Sequence, residues 1–128
     1  MTTPEPPMLF ARVSGEAFFV ALVDAFYKSV SGDPVLLALY PDPRDLTEPR
    51  RRLTMFLMQY WGGPTTYSDE RGHPRLRQRH ATYPIDESMR DRWLGHMRAA
   101  LDACGVEPGI RSELEEYFVR AADHMRNI

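Results

Sequence analysis

The sequence predicts an all-α protein. Apolar residues recur at spacings of three and four in four separate segments, glycine and proline punctuate the joins, and no segment shows the two-residue alternation of a half-buried strand. One stretch stands apart. Tyr60 to Ile85, YWGGPTTYSDERGHPRLRQRHATYPI, has no helical or strand period in its middle and is crowded with Gly62, Gly63, Pro64, Gly72 and Pro74. A long irregular segment in so small a chain is functional or disordered. Trp61, Tyr67, Leu76, Tyr83 and Ile85 give it more apolar surface than a solvated linker carries, so it reads as a shaped loop. Its basic run, Arg75-Leu76-Arg77-Gln78-Arg79, leads straight into His80.

The elements follow in order. Met1 to Pro7 reads as a loose tail and residues 8–128 as one domain. Ser14 is the expected cap of a first helix whose stripe is Phe18, Phe19, Leu22, Val23, Phe26 and Val30, with Tyr27 at the edge of the buried face and Gly32 as the stop. Asp33-Pro34 starts a short helix that Pro41 ends, which leaves Tyr40 at a rigid corner. Thr47, with Pro49 in the first turn, is the expected cap of a helix carrying Leu53, Phe56, Leu57 and Tyr60 on one face; Gly62-Gly63-Pro64 ends it. Asp86 and Glu87 suit the start of a long helix with the stripe Met89, Trp93, Met97, Ala100, Leu101 and Cys104, stopped by Gly105. A last helix from Pro108 carries Leu114, Tyr117, Phe118, Ala121 and Met125.

Composition bounds the function. At 128 residues with 43% hydrophobic content, the chain supports one domain with a core of its own. A net charge of −2 and a pI near 6.1 argue against broad nucleic-acid or membrane binding. Lys28 is the only lysine, so the positive charge is almost all arginine, the better residue for holding carboxylates in two-pronged geometry. The lone Cys104 excludes an internal disulfide and a Cys-rich zinc site. With neither a secretion-signal pattern nor a membrane-length apolar run, the expectation is a soluble cytoplasmic protein.

His73, His80, His96 and His124 include no i, i+4 pair, so a helical metal pair is absent too. One histidine can still anchor a metal if a macrocycle supplies the other ligands, as in a haem protein, and without C-x-x-C-H such a haem would carry no thioether links. Residue pattern alone leaves His80 equally readable as a surface histidine after a basic run.

The string from Tyr60 to Ile85, together with AFYKSV at Ala25 to Val30 and ALYP at Ala38 to Pro41, closely resembles the truncated haemoglobins, specifically the group II (O-type) bacterial branch. The resemblance runs from about Met8 onward, and WGGP and GHPRLRQRH are far more specific than a helical pattern. It implies a two-over-two helical sandwich of the globin type with a loop and short helix before the haem-binding histidine. It also implies haem b, with His80 as the proximal iron ligand whose other N–H is held by a backbone carbonyl of the preceding turn or by water. Tyr83 stands where the family usually has phenylalanine.

The same resemblance makes Tyr27, Tyr40 and Trp93 the distal ligand-binding residues. By periodicity alone, Tyr27 is a core-edge tyrosine and Trp93 the largest member of its stripe. Where larger globins place a distal histidine this chain has Pro49, to within a residue, so ligand stabilisation passes to the three aromatic donors. Leu53, Phe56 and Leu57 are expected to roof the haem, Arg52, Arg77 and Arg79 to meet its propionates, and Tyr67 and His73 to approach its edge. The implied function is reversible binding of dioxygen and other diatomic ligands. The alternatives are a haem redox enzyme, nitric oxide dioxygenase-like or peroxidase-like and dependent on a separate reductase, and a haem-free helical interaction module. A reductase and a second copy of the chain are the macromolecular partners left open.

Overall fold

The computed structural model describes residues 8–128, and every regular element among them is a helix. The elements are α1 (Leu9–Arg12), α2 (Glu16–Val30), α3 (Pro34–Leu37), α4 (Thr47–Tyr60), α5 (Thr66–Arg71), α6 (Leu76–Arg79), α7 (Glu87–Ala103) and α8 (Pro108–Met125). The tail expected over residues 1–7 lies outside the described residues. No described helix is long and apolar enough to cross a membrane.

The hub is α2. Phe19, Leu22, Val23, Phe26 and Val30 are fully buried, each worth roughly 1.5–3 kcal/mol in transfer out of water. This face packs against α7 and α4, and α7 in turn packs against α8, which gives the four long helices their arrangement as two pairs. Leu57 from α4, Met97 and Leu101 from α7, and Leu114 and Phe118 from α8 close the core. Three stripes depart from expectation: in α4 Met55 and Met58 are buried while Tyr60 is exposed. In α7 Leu94 is buried while Met89, Trp93 and Cys104 are half-buried, and in α8 Ala122 is buried in place of Ala121.

Ser14 does not cap α2. The helix starts at Glu16 after Gly15, whose φ of 55° turns the chain, and no side chain caps it. The reason is the additional turn α1: the Phe10 N–H donates to the Trp61 carbonyl at 3.0 Å and the Phe10 ring stacks on Phe19, which fixes the entry angle by tertiary contact. Thr47 is likewise helical rather than a cap, and its N–H is taken at 3.1 Å by the Asp45 carboxylate. Asp33 does cap α3, accepting from the N–H groups of Val35 and Leu36, and Asp86 caps α7 by accepting from Met89. The turn of α3 continues through Leu39 and Tyr40, whose N–H groups reach the carbonyls of Leu36 and Leu37.

The stretch without sequence periodicity contains two helices. The short α5 forms because Tyr67 is buried against Phe56, ring centroids 5.6 Å apart, and the Gln59 side chain clasps Ser68 by both its oxygen and its nitrogen. Before α6, Arg75 sits in the left-handed region at φ 42°. At the end of α4, the Gly63 N–H donates to the Met58 carbonyl at 2.8 Å, and a Cβ on Gly63 would stand 2.8 Å from that oxygen and 2.7 Å from the Phe10 ring.

Gly63→Ala is therefore expected to lower stability by about 1–3 kcal/mol, whereas Gly95→Ala, on open surface within α7, is expected to raise it by about 1 kcal/mol, both by urea denaturation. Asp33 is buried, and its carboxyl is held down to about 2, chiefly by His96. A depressed carboxyl stabilises the fold above its unfolded pKa and loses that contribution as pH falls through the folded one. The advantage of the native protein over Asp33→Asn is thus expected to be on the order of 2 kcal/mol at neutral pH and to vanish between about pH 4 and pH 2.

Candidate functional site

His80 closes the four-residue helix α6. Its N–H returns to the Leu76 carbonyl at 3.1 Å, and its ring Nδ1 meets the same oxygen at 2.6 Å. A carbonyl only accepts, so Nδ1 carries a proton, and in the neutral ring the lone pair lies on Nε2. Among the described residues Nε2 has no hydrogen-bond partner, and the ring is half-buried. That is the tautomer a metal-binding imidazole needs.

The chain around His80 is pinned from three sides. The Arg79 guanidinium donates to the carbonyls of Pro74, Arg71 and His73, at 2.6, 2.9 and 3.3 Å, and holds the turn that enters α6. His73 accepts the Arg75 N–H on Nδ1, and Arg77 donates to the His124 carbonyl at the end of α8. Asn127, which gave no signal in the sequence, makes the most contacts. Its amide nitrogen donates to the carbonyls of His80 and Tyr83, its side-chain oxygen accepts from the Ile85 N–H, and its own N–H donates to the Ile85 carbonyl at 2.9 Å.

Tyr27 and Tyr40 meet directly, while Trp93 reaches α2 through Phe26. Tyr27 is 4% exposed and meets Tyr40 edge-on at 5.8 Å. The Phe26 ring is 4.9 Å from that of Tyr27 and 5.2 Å from the Trp93 indole, and Phe118 backs the indole at 5.8 Å. Burial pushes the Tyr27 phenol far above its ordinary range, with Tyr40 adding to the effect, and burial likewise raises Tyr40. Both phenols therefore keep their protons and remain O–H donors. Arg50 is a further neighbour missed from sequence: its guanidinium lies 6.0 Å from the Tyr27 ring centre and pairs with Asp24 at 3.4 Å.

On α4, Leu57 is buried while Leu53 and Phe56 are half-buried. Tyr67 joins them through Phe56, and the Arg71 guanidinium lies 6.0 Å from its ring. Arg71 Nε is buried with no hydrogen-bond partner, an unspent donor beside this apolar face. Arg52 pairs with Glu48 at 3.8 Å on the exposed side of α4. The described residues contain no group of three or more His, Cys, Asp or Glu side chains able to hold a metal ion on their own. His96, assigned no role from sequence, bonds Ser29 and Asp33. Cys104, also without an assigned role, is half-buried at the end of α7.

Comparison with known proteins accords with this geometry. Residues 8–127 match the bacterial-like globin family. The group 2 truncated haemoglobin YjbI of Bacillus subtilis is 43% identical over 113 residues, covering 88% of this chain and 84% of its own length. Among solved structures, the thermostable haemoglobin of the actinobacterium Thermobifida fusca superposes with a TM-score of 0.91 at 50% identity, covering 94% of this chain and 98% of that one. The truncated oxygen-avid haemoglobin of Bacillus subtilis gives a TM-score of 0.88 at 41% identity over 94% of this chain and 99% of that one. The helix order, the two packed helix pairs and these matches along nearly the whole length agree, and the chain belongs to the bacterial-like globins, on the branch of the two-over-two, group 2 truncated haemoglobins.

Proposed function

We propose that this protein binds haem b through His80 Nε2 and reversibly holds dioxygen, and other diatomic ligands, on the face served by Tyr27, Tyr40 and Trp93. The observation that carries the reading is the His80 Nδ1–H bond to the Leu76 carbonyl, which commits the ring to one tautomer and leaves Nε2 as a ligand. The donor set fits a macrocycle-held iron: one imidazole with a free lone pair, an apolar face made by Leu53, Phe56, Leu57 and Tyr67, and the unsatisfied Arg71 Nε at its rim as an anchor for a propionate. Haem held by His80 would supply an iron centre able to take a small diatomic ligand. The absence of C-x-x-C-H makes the attachment non-covalent.

The residues of the chain supply the rest. Tyr27 is buried among aromatic rings, so its O–H reaches a polar ligand atom without competition from water. Trp93 adds an N–H that donates and never accepts. Arg79 and Arg77 keep their charge while bonding to backbone carbonyls, so they also lend positive potential near His80, whereas Arg52 is paired with Glu48. Several donors at one ligand favour slow release, in keeping with the oxygen avidity named for the Bacillus subtilis relative.

Visible spectra during haem titration test the reading: one haem per chain and a stable oxygenated spectrum are expected, and failure to take up stoichiometric haem would sink it. His80→Ala is expected to abolish stable retention of haem. Tyr27→Phe is expected to keep haem and speed oxygen release roughly 10- to 100-fold, the equivalent of a lost charge-assisted hydrogen bond, by stopped-flow. Asn127→Ala is expected to speed haem transfer to a scavenger apoglobin by about 3- to 10-fold, because the loop carrying His80 loses its side-chain clasp.

A further inference from the structure

We propose that Asp33, His96 and Ser29 form a positioning network that holds Tyr27, Tyr40 and Trp93 in register and thereby sets the strength of the hydrogen bonds they give to a bound ligand. This rests on the distal role proposed above for those three aromatic residues. Asp33 is the one buried polar or charged side chain among the described residues, at 7% exposure. Its Oδ1 accepts from the N–H groups of Val35 and Leu36 and from Arg92, at 3.1, 3.2 and 3.1 Å, and its Oδ2 meets His96 Nε2 at 2.8 Å. His96 Nδ1 lies 2.6 Å from the Ser29 hydroxyl. A carboxylate only accepts, so Nε2 carries a proton; in the neutral ring Nδ1 then accepts from Ser29. Every polar atom in the chain of contacts is satisfied, the condition under which a buried network specifies geometry.

Two members sit within about one helical turn of a distal donor, and the third starts the turn that ends at another. Ser29 follows Tyr27 by two residues in α2, and His96 follows Trp93 by three in α7. Asp33 caps α3, whose turn ends at Tyr40. A four-residue helix has no independent stability, so the place of Tyr40 depends on that cap and on the α2 and α7 side chains that hold it. The same residue types form nucleophilic triads, but Ser29 lies within α2, where backbone N–H groups are spent inside the helix, so no oxyanion donors accompany it. Positioning is the role the geometry allows.

Glutamine can donate to Asp33 and accept from Ser29 as the neutral imidazole does; leucine can do neither. The experiment takes the haem-loaded protein and its His96→Leu, His96→Gln, Ser29→Ala and Tyr27→Phe variants. It reads the C–O stretch of bound carbon monoxide, which reports distal hydrogen bonding, together with oxygen release and hydrogen exchange at the α3 amides. His96→Leu is expected to take up haem fully, to move the stretch toward that of Tyr27→Phe, and to speed both oxygen release and α3 exchange by about 3- to 10-fold. Ser29→Ala is expected to do the same to a smaller degree, and His96→Gln to restore wild-type values. A His96→Leu protein with an unaltered C–O stretch and release rate overturns the proposal, as does a His96→Gln protein indistinguishable from it. If Tyr27→Phe itself leaves the stretch unchanged, the distal reading fails instead. In that case accelerated α3 exchange in His96→Leu that glutamine restores still supports the network as the element holding Tyr40, and unchanged exchange removes it.

Discussion

The hydrogen bond from His80 Nδ1 to the Leu76 carbonyl spans a single turn of chain, yet much of the lower half of the molecule exists to keep that turn in place. A four-residue helix cannot hold its own geometry in water. It is held because Arg79 gathers three carbonyls of the entering loop, because Gln59 and Tyr67 fix α5 to α4, and because Asn127 ties the outgoing segment to the end of α8. Each of these contacts is polar and directional or buries one aromatic ring, so the segment is specified without a large core of its own.

The aromatic cluster on α2 and α7 is built by other means. Tyr27 and Trp93 project from long helices whose registers are set by close-packed apolar side chains, and Phe26 touches both rings. Apolar packing resists displacement but does not fix rotation and translation as finely as hydrogen bonds do. The buried carboxylate of Asp33 adds that fine control, joining α2, α3 and α7 through side chains none of which belongs to the aromatic cluster. Low dielectric makes the arrangement all-or-none: a fully paired carboxylate stabilises, and an unpaired one is costly. In the function proposed above, the two clusters divide two tasks, commitment of one imidazole tautomer and alignment of several neutral donors.

Burial also decides the chemistry available to the donors. Removing Tyr27 and Tyr40 from water disfavours the phenolate and keeps both hydroxyls as O–H donors, with the Tyr27 proton held more firmly by the neighbouring Tyr40. Arg50 opposes the shift and does not reverse it. A tyrosine of ordinary acidity would also be protonated at neutral pH; exclusion of competing water is what the packing contributes.

The sequence by itself determined the long helices, because a repeat of three and four imposes one buried stripe on a helix, and it located Asp33, Asp86, Pro34 and Pro108, whose effects on the chain are local. It also singled out the stretch ending in His80 and, through its resemblance, the bonding of that ring to the preceding turn. Tertiary structure alone decided the rest. Helices α1 and α5 have too few residues to show a period and form against Phe19, Phe56 and Gln59 of the neighbouring long helices. Ser14 was a plausible cap by composition, but Phe10 against Trp61 and Phe19 moved the start of α2. Asn127, Arg71 and the trio Ser29, Asp33 and His96 carry no local signature. Their partners lie tens of residues away or are absent, and only the folded chain brings the donors and acceptors within reach.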